Sequence, residues 1–365
     1  DSDWSGIRVP GSWEMQGFGE PAYTNTFYPW RNDADEHHMI RPHILEPDRD
    51  VRPDPPRIPS DNPTGCYRRT FRMPEAWRDM DVFLAFDGVE TAFRCWVNGT
   101  PAGYAQDSKL PSEFQITSLV RAGDNRLAVQ VFRYAASSYL EDQDYWHLCG
   151  IHRSVRVFAR PKRRIVDYRI LAEPEGFIRS EADGLHAGGR LWMDVTVNRF
   201  PGYADYRIRA EVYGPDDRWL CSAEADIAAS AQYRQDRVPT ANTARLALRL
   251  EEVTLWTPET PVLYRVVLTL LSPDGSGIDW EGCRAGFHRI RIEAGILTLN
   301  ERRLLVQGVN RHEHDSRTGR TLSREDMEAE IRCMKRMGIN SVRTSHYPDD
   351  PAWYDLCDAA GLLLF

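Results

Sequence analysis

The sequence predicts a multidomain, mainly β protein: a jelly-roll sandwich, an immunoglobulin-like sandwich, then the first part of a (β/α)8 barrel. Three observations carry this reading. Short runs of alternating apolar residues, separated by turn signals, recur from Gly65 to about Ile292, and period-two alternation marks half-buried strands. After Leu297 the pattern becomes strand, helix, strand, helix, strand, the order of parallel βαβ units. A chain of 365 residues also exceeds one ordinary core. The expected domains are residues 1–160, 161–292 and 293–365.

The chain opens with VPGSWEMQGFGEPAYTNTFYPW over residues 9–30, rich in Gly, Pro and aromatics without a sustained period, which reads as an ordered surface loop. Residues 31–63 form a polar, proline-rich insert with too little apolar material for a core. Its His37–His38 pair reads as solvated loop, because no ligand partner recurs at metal spacing. From Gly65, alternating Val82, Leu84 and Phe86, then Phe93, Cys95 and Val97, predict strands, with Asn98-Gly99 as a hairpin turn. Leu127, Val129 and Val131 give another strand, and Val155 with Val157 the last.

Residues 161–164 read as a linker into the second unit. Met193, Val195 and Val197, then Ile208, Ala210 and Val212, then Leu246, Leu248 and Leu250 alternate, followed by the run from Leu263 to Leu271. About seven strands of this kind suit an immunoglobulin-like sandwich. Nothing in it is chemically suggestive, and it reads as a spacer.

The third segment brings a buried apolar run, Leu304–Val309, read as a strand that ends in Asn310-Arg311-His312-Glu313-His314-Asp315. Ser323 and Asp326 form a weak capping box for a helix with Met327, Ile331, Met334 and Met337 along one face, closed by Gly338. A strand at Ser341–Thr344 leads into SHYPDD. A second helix starts at Pro351 and stops at Gly361, before a third strand over 362–365 whose open edge predicts self-association.

Composition excludes several function classes. A net charge of −8 argues against a nucleic-acid partner, which needs clustered cationic surface. No run of about 18 apolar residues predicts a membrane span, and the first residues show no signal peptide. Seven dispersed cysteines without a CxxC pair read as buried thiols of a reducing compartment, so a cytoplasmic location is expected.

Barrel active sites lie at the C-terminal ends of the strands. There the first strand delivers His312, and the second delivers Arg343-Thr344-Ser345-His346-Tyr347. Strand periodicity sets His312 and His314 on one side and Glu313 on the other. Two chemistries fit this rim: a metal-dependent hydrolase using the His312/His314 spacing, or a glycosidase in which imidazoles hold sugar hydroxyls and two carboxylates break the bond. The stretch YLEDQDYWHLCGIHR, residues 139–153, sets acids beside aromatics, a combination that grips sugar hydroxyls and ring faces. A non-catalytic galactoside-binding module is the remaining alternative.

Seven stretches resemble the large bacterial β-galactosidases of glycoside hydrolase family 2, in family order along nearly the whole chain. They are residues 9–30, NPTGCYR at 62–68, GYAQDSKLPSEF at 103–114, residues 139–153, LWTPETPVLY at 255–264, GVNRHEH at 308–314 and VRTSHYP at 342–348. The resemblance implies a jelly-roll sugar-binding domain, an immunoglobulin-like domain and a catalytic barrel, with retaining release of terminal β-galactose from substrates such as lactose. It also implies Mg2+ and Na+ as cofactors and a homo-oligomeric full-length protein.

By the same resemblance, Asn25 and Asp144 are loop residues of the galactose subsite, with Asp144 also a sodium ligand. His312 and His346 contact sugar hydroxyls, and Arg343 orients the nucleophilic carboxylate. The family's acid/base and nucleophilic glutamates and its magnesium ligands are expected beyond Phe365, which makes this chain a piece truncated at both ends and inactive alone. The insert over 31–63 is longer than the resemblance leads one to expect.

Overall fold

The computed structural model describes residues 3–24, 58–180, 184–227 and 242–365. Asn25, the His37–His38 pair and most of the 31–63 insert lie outside the described residues. Packing divides the chain into two units. The first is Asp1–Arg160 with Asn310–Met327 and Thr344–Pro351; the second is Pro161–Val309 with Glu328–Arg343 and Ala352–Phe365.

The first unit is built on a β-sandwich. One sheet orders Thr64–Met73, Gly123–Phe132, Ala92–Val97 and Thr100–Ala105; the other orders Val155–Arg160, Asp81–Phe86 and Ser112–Gln115. The expected alternation holds, since Val82, Leu84 and Phe86 are buried with Phe93, Cys95, Val97, Val129 and Val131 in one core. Phe86 and Phe93 meet at 4.5 Å between ring centroids, and Phe114 sets its edge to both. At the hairpin, Asn98 (φ 52°) and Gly99 (φ 84°) are both left-handed, the geometry a two-residue turn needs. Residues 9–24 are more structured than a loop. Gly11–Ser12 pairs with Gly150–Ile151, and Ala22–Thr24 pairs with Tyr145–His147, because Trp13 is buried in the sandwich core and anchors the segment.

The second unit holds a seven-stranded sandwich. One sheet orders Ile165–Ser180, Gly184–Val197 and Thr243–Val253, and the other Trp219–Asp226, Arg207–Tyr213, Tyr264–Leu271 and Gly277–Ala285. Leu191, Met193, Val195 and Val197 share its core with Ile208, Ala210, Val212, Val266 and Leu268.

The strand–helix alternation of the third segment is present. Gly308–Arg311, Ser341–Thr344 and Leu363–Leu364 form one sheet in that order, with α1 (Arg324–Arg336) and α2 (Pro351–Ala360) between them in sequence. Ser323 N donates to Asp326 Oδ2 at 2.9 Å while Asp326 N donates to Ser323 Oγ at 3.2 Å, a reciprocal cap on α1. Gly338, at φ 75°, ends the turn beyond it. Trp353, Leu356 and Cys357 are the buried face of α2.

Three expectations are corrected. The strand expected at Leu304–Val309 lies at Gly308–Arg311, and Leu305 and Val306 are 60% and 50% exposed. The cause is the Asn340 amide, which donates to Leu305 O at 2.8 Å and accepts from Gln307 N at 2.9 Å, satisfying the backbone there without a ladder. Met337 is 74% exposed, because α1 ends one residue earlier. Of the cysteines only 95, 149 and 357 are buried; Cys66 is exposed and the other three are half-buried.

Candidate functional site

All contacts of the candidate site fall within the first unit. The strand Tyr145–His147 alternates strictly: Tyr145 and His147 are buried, whereas Trp146 and, just before the strand, Asp144 are exposed. Its partner Ala22–Thr24 brings Tyr23 opposite Trp146. The Tyr23 hydroxyl donates to Asp144 Oδ1 at 2.6 Å, and the Tyr23 and Trp146 rings lie 5.6 Å apart. That bond raises the Tyr23 phenol above its ordinary value, since it favours the protonated form.

The histidines arrive from the segment after Gly308–Arg311 and from the turn after Ser341–Thr344. His312 and His346 meet edge to face, with centroids 5.3 Å apart and planes at 88°. His314 lies nearly parallel to Trp146 at 6.5 Å, which joins the histidine segment to the Asp144 strand. Burial, and then the charge of Arg320, lower the His314 pKa, so its imidazole is neutral near pH 7. His312 and His314 therefore turn to different neighbours. Arg343 is exposed on its strand and belongs to the second unit.

Glu313 is not a free acid. It is buried, its Oε2 receives Arg153 Nη2 at 2.7 Å and Nε at 3.2 Å, and its Oε1 accepts Asp350 N at 2.8 Å. Asp349 is paired with Arg311 at 3.0 Å, yet burial outweighs that charge and raises its carboxyl to about 7. The half-buried Asp315 carboxylate caps its own turn, accepting Arg317 N at 2.9 Å and Thr318 N at 3.2 Å. Beneath the exposed residues, Glu90 Oε2 accepts both Lys109 Nζ at 2.8 Å and Arg320 Nη1. Burial works to raise Glu90, but Arg320 and then Lys109 hold it below the ordinary carboxylate range. Burial, with Arg320 beside it, lowers Lys109 to about 8.

The structure thus brings His312 and His346 together and fixes Asp144 through Tyr23. Sequence reasoning passed over Tyr23 and Trp146 as site residues, and weighed His314 only as a metal ligand beside His312. The signal for them is the alternation Asp144-Tyr145-Trp146-His147, which sets Asp144 and Trp146 on one outward face. For a sodium ion, Asp144 offers one exposed carboxylate oxygen beyond the one bonded to Tyr23, the hard oxygen donor such an ion takes. Among the described residues no group of three or more His, Cys, Asp or Glu side chains could hold a metal.

Comparison with known proteins agrees along the chain. The sugar binding domain of glycosyl hydrolases family 2 matches residues 49–161, a model described as glycosyl hydrolases family 2 matches residues 176–288, and the family's TIM barrel domain matches residues 290–365. A β-galactosidase of Enterobacter cloacae is 38% identical over 362 residues, covering 99% of this chain and 32% of that protein. One from Vibrio vulnificus is 40% identical over 365 residues, with 99% and 32% covered. The chain thus spans about a third of the length of the curated relatives it matches. Among solved structures, the fold is similar to a Bacteroides uniformis β-glucuronidase, with TM-score 0.71 at 23% identity over 100% of this chain and 38% of that one. A Bifidobacterium dentium β-glucuronidase complexed with coumarin-3-O-glucuronide gives TM-score 0.71 at 22% identity over 82% and 51%.

Proposed function

Because the chain belongs to glycoside hydrolase family 2, we propose that its first unit grips the terminal galactose of a β-galactoside within a retaining β-galactosidase. The observation that carries this is the His312–His346 pair at 5.3 Å, in the same unit as an exposed Asp144 fixed by Tyr23. Imidazoles and a carboxylate together donate to and accept from sugar hydroxyls, while Trp146 and Tyr23 offer the aromatic faces that cover a sugar's apolar side. Asn25 and Arg343 join this reading as a further hydroxyl contact and as the orienter of a nucleophilic carboxylate. Sodium held by Asp144 would supply positive charge beside a sugar hydroxyl.

A retaining displacement needs two carboxyl groups about 5 Å apart, one as acid and one as nucleophile. The carboxylates nearest the histidines in sequence are already committed: Glu313 to Arg153, Asp349 to Arg311 and Asp315 to its turn. We infer that the 365-residue chain alone binds galactosides without cleaving them. Turnover of a nitrophenyl galactoside by the purified chain would sink that inference.

Calorimetric titration of the chain with galactose, glucose and glucuronate tests the sugar. Galactose saturates, glucose and glucuronate bind less tightly, and His346→Ala weakens galactose by about tenfold, the worth of roughly one hydrogen bond. Tighter binding of glucuronate would overturn the galactoside reading. In a full-length enzyme carrying this chain, His346→Ala lowers kcat more than it raises KM, because its contact strengthens in the transition state. A raised KM with unchanged kcat would show uniform binding instead.

A further inference from the structure

The residue immediately after Asp144 and the residue immediately after His346 are both buried tyrosines, and they share a partner. Tyr145 and Tyr347 meet edge to face at 5.5 Å. The Arg320 guanidinium lies 4.4 Å from the Tyr145 ring centroid and 4.7 Å from that of Tyr347. Its side chain is 2% exposed. The turn that delivers it is closed by paired backbone bonds between Asp315 and Gly319 at 2.8 Å, with Gly319 left-handed at φ 65°.

An ion pair alone does not explain this arginine. Glu90 already has Lys109 as a buried counter-charge, so Arg320 adds a second cation to one carboxylate oxygen. Arg320 Nε and Nη2 are buried without a hydrogen-bond partner. Leaving guanidinium donors so is costly, and what stabilises them is the pair of tyrosine faces, a desolvated cation–π contact. The Lys109 ammonium also faces both rings, at 4.8 Å from the Tyr145 centroid and 5.2 Å from that of Tyr347, but it is a compact point charge, whereas the closer Arg320 guanidinium is planar and can stack on both. The Tyr145 end is pinned separately: its hydroxyl donates to Glu141 O at 2.6 Å, and the Glu141 carboxylate accepts Ser108 N at 2.9 Å.

We propose that Arg320 is a positioning residue for the sugar subsite, its guanidinium tying the Asp144 loop to the His346 turn through the faces of Tyr145 and Tyr347. The proposal rests on the galactoside reading of Asp144 and His346 for its functional consequence, but the mechanical link stands apart from it. Arg320 touches no substrate in this scheme. Its loss lets the two segments move independently, so that a sugar no longer meets both at once.

The test is hydrogen exchange by mass spectrometry on the 365-residue chain, wild type against Arg320→Lys, alongside galactose titration. Lysine keeps the charge on Glu90 but not the plane. In Arg320→Lys, backbone exchange rises together in residues 141–147 and 344–350 by about tenfold or more, while the core strand Asp81–Phe86 stays protected. Galactose affinity falls by at least about tenfold, as expected when binding groups lose register. Should Arg320→Lys not fold, Tyr347→Leu against Tyr347→Phe carries the same test. Phenylalanine keeps the ring face and exchanges like wild type, and leucine loosens both segments.

Wild-type protection of both segments in Arg320→Lys, or loosening spread equally to Asp81–Phe86, would overturn the proposal. So would identical exchange in the two Tyr347 variants. If the wild-type chain binds no galactose, the galactoside reading falls, while the exchange pattern still decides the link.

Discussion

The two sandwiches of this chain use one period-two pattern and treat charge in opposite ways. In the second unit, ion pairs ride on the outer faces: Arg207–Glu224, Arg245–Asp194 and Arg265–Asp217 all have side chains at least 30% exposed. In the first unit, Arg153–Glu313, Lys109–Glu90 and Arg311–Asp349 are at most 6% exposed. Exposed pairs contribute little because water screens them. Buried pairs carry a heavy desolvation cost and are a poor way to gain stability. Their concentration around the Asp144 strand and the histidine segments marks where the fold holds geometry at the expense of stability. The other sandwich carries no such cluster among its described residues and behaves as a scaffold.

The sharpest way to break this contrast is to remove one carboxylate from each side. Glu313→Ala strands Arg153 in the interior and should lower unfolding free energy by about 3–5 kcal/mol, whereas Glu224→Ala should cost less than about 1 kcal/mol. Urea unfolding of both variants measures this, and equal losses would erase the distinction.

A smaller effect comes from pH. Burial raises the carboxyls of Glu14 and Asp349 to about 7 and that of Asp142 to about 6, all in the first unit. A raised pKa means the folded state holds protons that the unfolded chain releases. The stability these groups contribute is therefore full below the unfolded carboxylate range and is lost as pH rises through 6 to 7. His152 opposes them: burial, then Arg320, Arg153 and Lys109, lower it well below 6.5, so its contribution is lost as pH falls beneath that value. Thermal melts should show higher stability near pH 6.5 than at pH 8, by roughly a few degrees. Asp349→Asn should flatten that difference, and an unchanged pH profile would remove Asp349 as a source.

The smallest test asks whether burial, not membership of the first unit, sets the cost. Ser323→Ala removes the exposed reciprocal cap of α1, also in the first unit, and should cost about 1 kcal/mol by chemical denaturation. A loss as large as that of Glu313→Ala would show that location matters more than exposure.

Much of this architecture is legible in the sequence, because strand alternation is a local signal. Val82, Leu84 and Phe86 declare their strand, and Asn98-Gly99 its turn, without help from distant residues. The strand misread at Leu304 failed for a local reason of another kind, since a side-chain amide from Asn340 satisfies that backbone in place of a ladder. The site divides the same way. His312 and His346 sit at strand ends, where barrel position alone points to them. The buried network stays hidden because Arg153 meets Glu313 across 160 residues of sequence, and Glu90 meets Arg320 across 230. No window of sequence holds both partners, and each charge alone reads as surface.

That separation has a consequence for the order of assembly. The first unit is discontinuous: its sandwich lies within Asp1–Arg160, but Arg320 and Glu313, which complete the buried ion pairs of Glu90 and Arg153, come from Asn310–Met327. The strands of the other sandwich follow one another without interruption from Ile165 to Ala285. During synthesis, Glu90 and Arg153 emerge first and wait for Arg320 and Glu313, and at ribosomal speeds that interval is roughly 10–50 s. The scaffold sandwich can close in the meantime, so the later sandwich in the sequence is the earlier one to finish. The surface that carries Asp144, His312 and His346 then forms last, once the histidine segments have emerged and joined it.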